Sequence, residues 1–427
     1  MVTGTLLVTL ILFLILEVPV GIAIGISSLA AILVGDSLSV GFIPQTLVSS
    51  TDSFPIMAIP LFILAGELMG AGGVSRRILA VANVFFGRIP GGLAIVTVVV
   101  CMFFAAVSGS GPATVAAVGG MVVPTMIKKG YGKSFVLALI AAAGSIGVII
   151  PPSIPMVIFG VTTATSISDL FLGGFGPGFL IGFALIFWCH FYCKKMGWRG
   201  DDEPFSWDRA RKSLSEAKWA LLNPLIILGG IYAGVFTPTE AAAVAAIYAF
   251  VCGVFIHREL TFKTILAPIG SACSTTGTTM VILGCASAFT RILTIEQIPT
   301  MITEWLIHIT QNGIIILLLI NILLLIVGCF MDTTPAILVL APILLPVAMS
   351  IGADPIHFGL IMVVNLSIGF ITPPLGINLF VAARVGAVPL ETVTRGIIPF
   401  ILVMIACLLV VTYVPAVTLA LPHLLKS

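Results

Sequence analysis

Ser145-Ile146-Gly147-Val148-Ile149-Ile150-Pro151-Pro152 recurs 222 positions further on as Ser367-Ile368-Gly369-Phe370-Ile371-Thr372-Pro373-Pro374. Other marks keep the same offset: Gly91 answers to Gly313 and Pro124 to Pro346, while Pro112 falls one residue out of step with Pro335. An internal repeat of this length dictates the architecture. Both copies lie deep in apolar sequence, where a Pro-Pro pair cannot continue a helix. The amides and carbonyls freed there find no partner in hydrocarbon, so such backbone is tolerated only where protein buries it or it lines a cavity.

That the surroundings are hydrocarbon follows from composition. The chain of 427 residues is 59% hydrophobic and only 8% charged, with a mean hydropathy of +1.24, whereas soluble domains carry about 25% charged residues. Apolar stretches recur from Leu6 to Leu421, room for about ten to twelve crossings or partial crossings at roughly 20 residues each. A net charge of +2 excludes a basic nucleic-acid surface or an acidic tail. Met1 to Val34 is apolar, has no basic residue ahead of it and is too long for the core of a signal peptide, so it is expected as a retained first helix. Cys189 and Cys193, the one close pair among eight cysteines, lack the paired spacing of zinc ligands.

Lys194 to Lys218 is the one sizeable polar segment and holds Lys194, Lys195, Arg199, Arg209, Arg211, Lys212 and Lys218. The positive-inside rule makes it cytoplasmic. It divides the chain into a first repeat over 1–193, a polar loop over 194–219 and a second repeat over 220–427. Lys128-Lys129-Gly130-Tyr131-Gly132-Lys133 aligns with Ser350-Ile351-Gly352-Ala353-Asp354-Pro355, so one loop carries three positive charges and its counterpart a negative one. Equivalent loops of opposite charge are expected on opposite faces, the mark of an inverted-topology repeat. A parallel duplication that lost its lysines is the alternative.

The fold class expected is an all-α polytopic membrane protein. Each repeat holds a re-entrant helical hairpin (about 90–124 and 313–346) and a broken transmembrane helix (about 134–166 and 356–386). Each hairpin stretch is too short for two crossings and too long for one. Its tip is rich in hydroxyls, in Ser108-Gly109-Ser110-Gly111-Pro112-Ala113-Thr114 and in Asp332-Thr333-Thr334-Pro335. Sodium is a hard cation that takes oxygen ligands, and half-helix C-terminal ends aim partial negative charge at it. One cation site is expected from Ser108, Ser110, Gly144, Ser145 and Gly147. A second is expected from Thr333, Thr334, Ser367, Gly369 and Thr372. The plain alternative is that Gly, Ser and Pro permit kinks and close packing.

Ionisable residues within spans default to functional hypotheses. Asp332 stands at the second tip. Arg291 interrupts an apolar run, and a guanidinium suits bidentate grip of a carboxylate, although it can also snorkel to the interface. Arg384 and Asn378 complete the candidate substrate-binding set. Glu67 is expected to cap its helix or pair with Arg76 or Arg77, and Glu17 to sit where two half-helices meet. Thr237-Pro238-Thr239-Glu240 reads as a capping box. Gly132-Lys133-Ser134 fails as a phosphate loop because Ile127 occupies the position that needs glycine, so no nucleotide is expected.

The sequence resembles the large membrane subunit of tripartite ATP-independent periplasmic (TRAP) transporters, such as those of dicarboxylate and sialic acid systems. The resemblance covers essentially the whole chain. It rests on Phe54-Pro55-Ile56-Met57-Ala58-Ile59-Pro60-Leu61-Phe62, on Ala65-Gly66-Glu67-Leu68-Met69, on Ser108 to Thr114 and on the two Pro-Pro breaks. Phe236-Thr237-Pro238-Thr239-Glu240-Ala241 and Gly376-Ile377-Asn378-Leu379-Phe380-Val381 complete it. It implies sodium-driven import of an organic acid delivered by a soluble periplasmic binding protein. It also implies a smaller four-helix membrane subunit, expected as a separate chain. A stand-alone sodium/carboxylate symporter of the ion transporter superfamily is the competing reading. Both place the chain in the bacterial inner membrane as a transporter and not an enzyme. Convergence of tips and breaks near the bilayer midplane predicts an elevator-type motion, in which hairpins and broken helices move as one block against the other helices.

Overall fold

The computed structural model describes residues 1–35, 38–198, 200, 205–310 and 312–426. Arg199 and residues 201–204 of the polar segment lie outside the described residues. Among the described residues the fold is all helix. Among the described residues seven helices are long and apolar enough to cross a membrane: Phe54–Ala71, Ile167–Lys195, Pro238–Ile256, Leu266–Ile295, Gly313–Phe330, Thr333–Ser350 and Leu390–Tyr413. Shorter apolar helices fill the space between them.

The first hairpin runs in along Gly92–Ser108 and back along Gly111–Lys128. The second runs in along Gly313–Phe330 and back along Thr333–Ser350. The first broken helix consists of Lys133–Ser145, one 3-10 turn over Ile146–Val148 and then Ile154–Thr163. The second consists of Pro355–Gly369 and Ile377–Gly386. Both Pro-Pro bonds, Pro151-Pro152 and Pro373-Pro374, are cis.

The two repeats interlock. The first half of each broken helix packs on its own hairpin, whereas the second half packs on the hairpin of the other repeat. Ile154–Thr163 lies along Thr333–Ser350, and Ile377–Gly386 lies along Gly111–Lys128. Small residues allow this closeness: a Cβ on Gly119 would meet Val385 at 3.3 Å.

The remaining helices form a frame whose tightest seam joins Ala58–Ala71 to Pro238–Val251. Ala241, Ala242, Ala245 and Ala249 are wholly buried there, so dispersion between closely apposed backbones holds the seam. The capping box is present: Glu240 N donates to Thr237 Oγ1 at 3.3 Å and Thr237 N to Glu240 Oε2 at 2.8 Å. Glu17, at φ 59°, stands exposed between Val2–Ile15 and Val20–Val34. The polar segment is not a loop throughout. It turns helical at Trp207 and continues unbroken to Tyr232, because alternating basic and apolar residues make its start an interfacial amphipathic helix.

Helix Ile167–Lys195 serves as a ruler for the orientation of the repeats. Tyr131 and Phe135, at the Lys128–Lys133 loop, stack on Trp198 and Tyr192 at its C-terminal end. Ile356 and Leu360, just after the Ser350–Pro355 loop, flank Gly173 near its N-terminal end. Gly173 and Tyr192 are 19 residues apart, about 28 Å at 1.5 Å per residue. The two equivalent loops therefore lie at opposite ends of one helix, the placement that inversion requires. Arg76, Arg88, Lys128, Lys133, Lys194, Arg209 and Lys263 belong to elements gathered at the Lys128 end, which the positive-inside rule makes cytoplasmic.

This orientation predicts a labelling pattern in a cysteine-free background. K128C should react with a membrane-impermeant maleimide only in inside-out vesicles, and S350C, its counterpart in the second repeat, only from the outside of intact cells. Reaction of both from one face would refute the inversion.

Candidate functional site

Two hairpin tips, two helix breaks and two frame helices enclose a cavity of about 770 Å³. Ser108, Gly109 and Ser110 come from the first tip, and Asp332, Thr333 and Thr334 from the second. The breaks contribute Val148, Ile154 and Phe370. The frame contributes Gly66, Glu67 and Gly70 of Ala58–Ala71, with Ser271, Thr275 and Thr279 of Leu266–Ile295. Residues from both repeats thus face one space.

The first tip turns through Gly109 at φ 60°, a conformation that favours glycine. Three hydroxyl groups or carbonyls meet there. Ser108 Oγ lies 3.1 Å from Thr114 Oγ1, and Thr114 Oγ1 donates to Ser110 O at 2.7 Å. Break and tip are pressed together. A Cβ on Gly147 would sit 2.6 Å from both Ser110 O and Thr114 Oγ1, and one on Gly109 would sit 2.9 Å from Pro152 O. Gly144 instead abuts Val115. Ser145 Oγ donates to Ala142 O at 2.7 Å and faces Met404, so its side chain points away from the tip. Thr114 belongs to this cluster although its spacing from Ser110 gave it no separate prominence in the sequence.

At the second tip Asp332 caps the returning helix by accepting from Thr333 N at 2.7 Å. Thr372 Oγ1 donates to Ile368 O at 2.8 Å and Ser367 Oγ to Val364 O at 2.6 Å. Gly369 presses on the backbone of Gly328, a partner that sequence reading did not single out because its role depends on a helix crossing. Thr333 and Thr334 line the cavity, whereas Ser367, Gly369 and Thr372 are not among its lining residues.

Asn378 links the repeats. Its Nδ2 donates to Ala141 O at 3.2 Å, and its buried Oδ1 has no hydrogen-bond partner among the described residues. Gly111 at the start of the first returning helix lies against it and against Phe370.

The two candidate arginines stand elsewhere. Arg291 is exposed and lies 12 residues, about 18 Å of helix, beyond Thr279. At 100° per residue it projects about 120° around Leu266–Ile295 from Thr279. Arg384 is exposed in the last turn of Ile377–Gly386, in a shallow hollow with Phe380 and Leu390. Glu67 pairs with neither Arg76 nor Arg77. Both guanidinium groups bind Glu259, at 2.5 and 2.6 Å, and Glu67 Oε1 accepts from Ser271 Oγ at 3.1 Å. The correction has a simple cause: Gly72 and Gly73 turn the chain, so Arg76 and Arg77 face the segment after Ile256 and not the helix that carries Glu67.

A family model described as "Tripartite ATP-independent periplasmic transporter, DctM component" matches residues 7–417. The isethionate TRAP transporter permease protein DctMQ of Oleidesulfovibrio alaskensis is 50% identical over 406 residues, covering 95% of this chain and 64% of that protein. The C4-dicarboxylate large permease DctM of Pseudomonas aeruginosa is 43% identical over 94% of each chain. The sialic acid large permease SiaM of Vibrio cholerae is 38% identical over 95% of each. Among solved structures, the YdaH transporter of Alcanivorax borkumensis shares the fold, with a TM-score of 0.61 at 17% identity over 96% of this chain and 97% of that one.

The seat of the first tip gives a packing test. Gly147→Ala drives a methyl group into Ser110 O and Thr114 Oγ1, which is expected to destabilise the protein by about 1–3 kcal/mol and to depress transport. Gly120→Ala, with nothing within 4 Å of its Cβ, should leave both unchanged. Thermal unfolding in detergent and solute uptake in proteoliposomes check the pair.

Proposed function

The chain belongs to the DctM component family of tripartite ATP-independent periplasmic transporters, and from that premise we propose that it imports an organic acid by sodium symport. It is a multi-pass transporter subunit of the bacterial cytoplasmic membrane. The organic acid arrives on a soluble periplasmic binding protein, and a small four-helix membrane subunit stands beside the frame. The observation that carries this reading is a cavity walled by residues of both hairpin tips and both breaks.

Support for sodium comes from the oxygens gathered at the first tip. A sodium ion takes several such ligands, and the first tip offers Ser108, Ser110 and Thr114 beside the Gly147 break. Thr333, Thr334, Ser367, Gly369 and Thr372 with Asp332 make the second candidate group. Ser145 and Gly144 contribute to the first through main-chain oxygens. Returning helices that start at Gly111 and Thr333 aim their positive dipole ends into the cavity, where an anionic solute gains from them.

Motion follows from the same division. The interlocked hairpins and broken helices form one block, and Ala58–Ala71 with Leu266–Ile295 forms the face it slides along. Gly66 lies 3.0 Å from Ser108 Cα when a Cβ is built on it, so the frame is smooth where the tip passes. At the far half of Leu266–Ile295, Phe289 and Leu293 are buried and Thr290 Oγ1 donates to Leu338 O at 3.0 Å, which seals that side. Ala71, Ala267 and Pro268 line the cavity on the side of the frame nearest the basic end, and in this reading the arrangement is inward-open.

Two experiments check the proposal. Proteoliposomes holding this chain and its small subunit should take up isethionate, succinate or sialic acid only with a sodium gradient and the binding protein present. Uptake without the binding protein would favour a stand-alone symporter. Ser108→Ala and Thr372→Ala should each raise the sodium concentration for half-maximal uptake by about tenfold, equivalent to ~1.4 kcal/mol. Unaltered sodium dependence in both removes these residues from the sites.

A further inference from the structure

The cavity wall described above holds two carboxylates, Glu67 and Asp332, and among the described residues no lysine, arginine or histidine. That is an unexpected wall for a site that takes an organic anion. The two acids differ in what holds them. Asp332 is an N-cap, accepting from the Thr333 amide, where the helix dipole favours negative charge. Glu67 stands near the C-terminal end of Ala58–Ala71, where the dipole disfavours it. Among the described residues its carboxylate accepts from the Ser271 hydroxyl, at 3.1 Å, while Glu259 engages the nearby guanidinium groups of Arg76 and Arg77.

Position gives this cost a use. Glu67 sits one turn from Ala71, which also lines the cavity, on the frame and not on the block that carries the tips. From it the hydroxyls of Ser271, Thr275 and Thr279 run along one face of Leu266–Ile295 at four-residue steps. Further along the same face Ala286, Phe289 and Leu293 are apolar and buried. The tips therefore meet a polar, anionic wall only when the block stands at the cytoplasmic end. Further along they would face these apolar residues, with the next carboxylate of that face, Glu296, only past the end of the helix.

We propose that Glu67 is a specificity-determining residue of the frame, whose carboxylate repels an organic anion from the inward-open cavity and so drives release to the cytoplasm. The inference rests on the reading of the solute as an organic anion. At a separation of about 10 Å and an effective dielectric between those of the protein surface and water, such repulsion changes affinity about three- to tenfold. The effect is confined to the inward-facing state because the frame does not travel with the solute.

The test uses the complete complex in proteoliposomes of known sidedness, with isethionate, succinate and sialic acid as probes. Glu67→Gln should bind the carried acid from the cytoplasmic side about three- to tenfold more tightly, with slower net uptake and preserved solute exchange. A gain in affinity cannot come from misfolded protein. Glu67→Asp keeps the charge and should return cytoplasmic-side affinity toward that of the wild type. In the wild type, raising ionic strength with choline chloride at fixed sodium should tighten cytoplasmic-side binding by screening, and it should do so less in Glu67→Gln. Unchanged or weaker cytoplasmic-side binding in Glu67→Gln overturns the proposal, as does absence of the choline effect in the wild type. Wild-type complex that binds none of the three acids refutes the underlying functional reading, and the proposal with it, before any variant is compared.

Discussion

Backbone amides and carbonyls cannot stay unpaired in hydrocarbon, and the rest of this structure depends on how that demand is met at four places where helices stop in mid-membrane. Each stop leaves about four orphan groups on either side. Side chains and neighbouring backbone supply partners: Ser153 Oγ donates to Val148 O and accepts from Met156 N, and Asn378 N reaches back to Phe370 O. Ile154 N approaches Gly109 O, across from break to tip. The repairs draw tips and breaks together. Because those groups are needed to cover one another, the polar centre of the molecule is also its most tightly assembled part.

Interlocking follows from this economy of partners. A half-helix ending in the membrane is too short to span it, and it gains burial by lying against the hairpin of the other repeat. The result couples the repeats mechanically, since moving one hairpin carries the second half of the opposite broken helix. Rigid interlocked backbone suits a block that travels whole. Close approach at Gly147 and at Gly328 with Gly369 leaves no slack within it.

The repeats are alike in backbone but not in buried polarity. In the second, Asn365 Nδ2 donates to Asn321 Oδ1 at 2.6 Å and Asn321 Nδ2 to Thr412 Oγ1 at 2.9 Å. His357 then bridges Thr412 O and Thr418 Oγ1. Ala143 and Val99 stand at the first-repeat counterparts of the two asparagines, so no such chain forms there. This buried polar chain fastens the last helices to the second broken helix, with Asn365 Oδ1 left without a partner among the described residues.

Sequence by itself determined the membrane setting, the repeat, the places where helices break and the positions of caps such as Thr237 to Glu240. These are local or compositional: chain length against bilayer thickness, proline geometry and hydroxyl spacing act within one segment. Opposite charge on Lys128–Lys133 and on Asp354 gave the expectation of inverted repeats. Tertiary structure alone decided which hydroxyls meet, that Ser145 Oγ turns toward Met404, that Arg291 and Arg384 stand away from the cavity, and that Glu67 leaves Arg76 and Arg77 to Glu259. It also gave Gly328 and Thr114 their roles. The reason is rotational: a helix fixes the spacing of its own side chains, but the direction each one faces depends on how that helix is turned against its neighbours. That turn is set by packing among segments hundreds of residues apart.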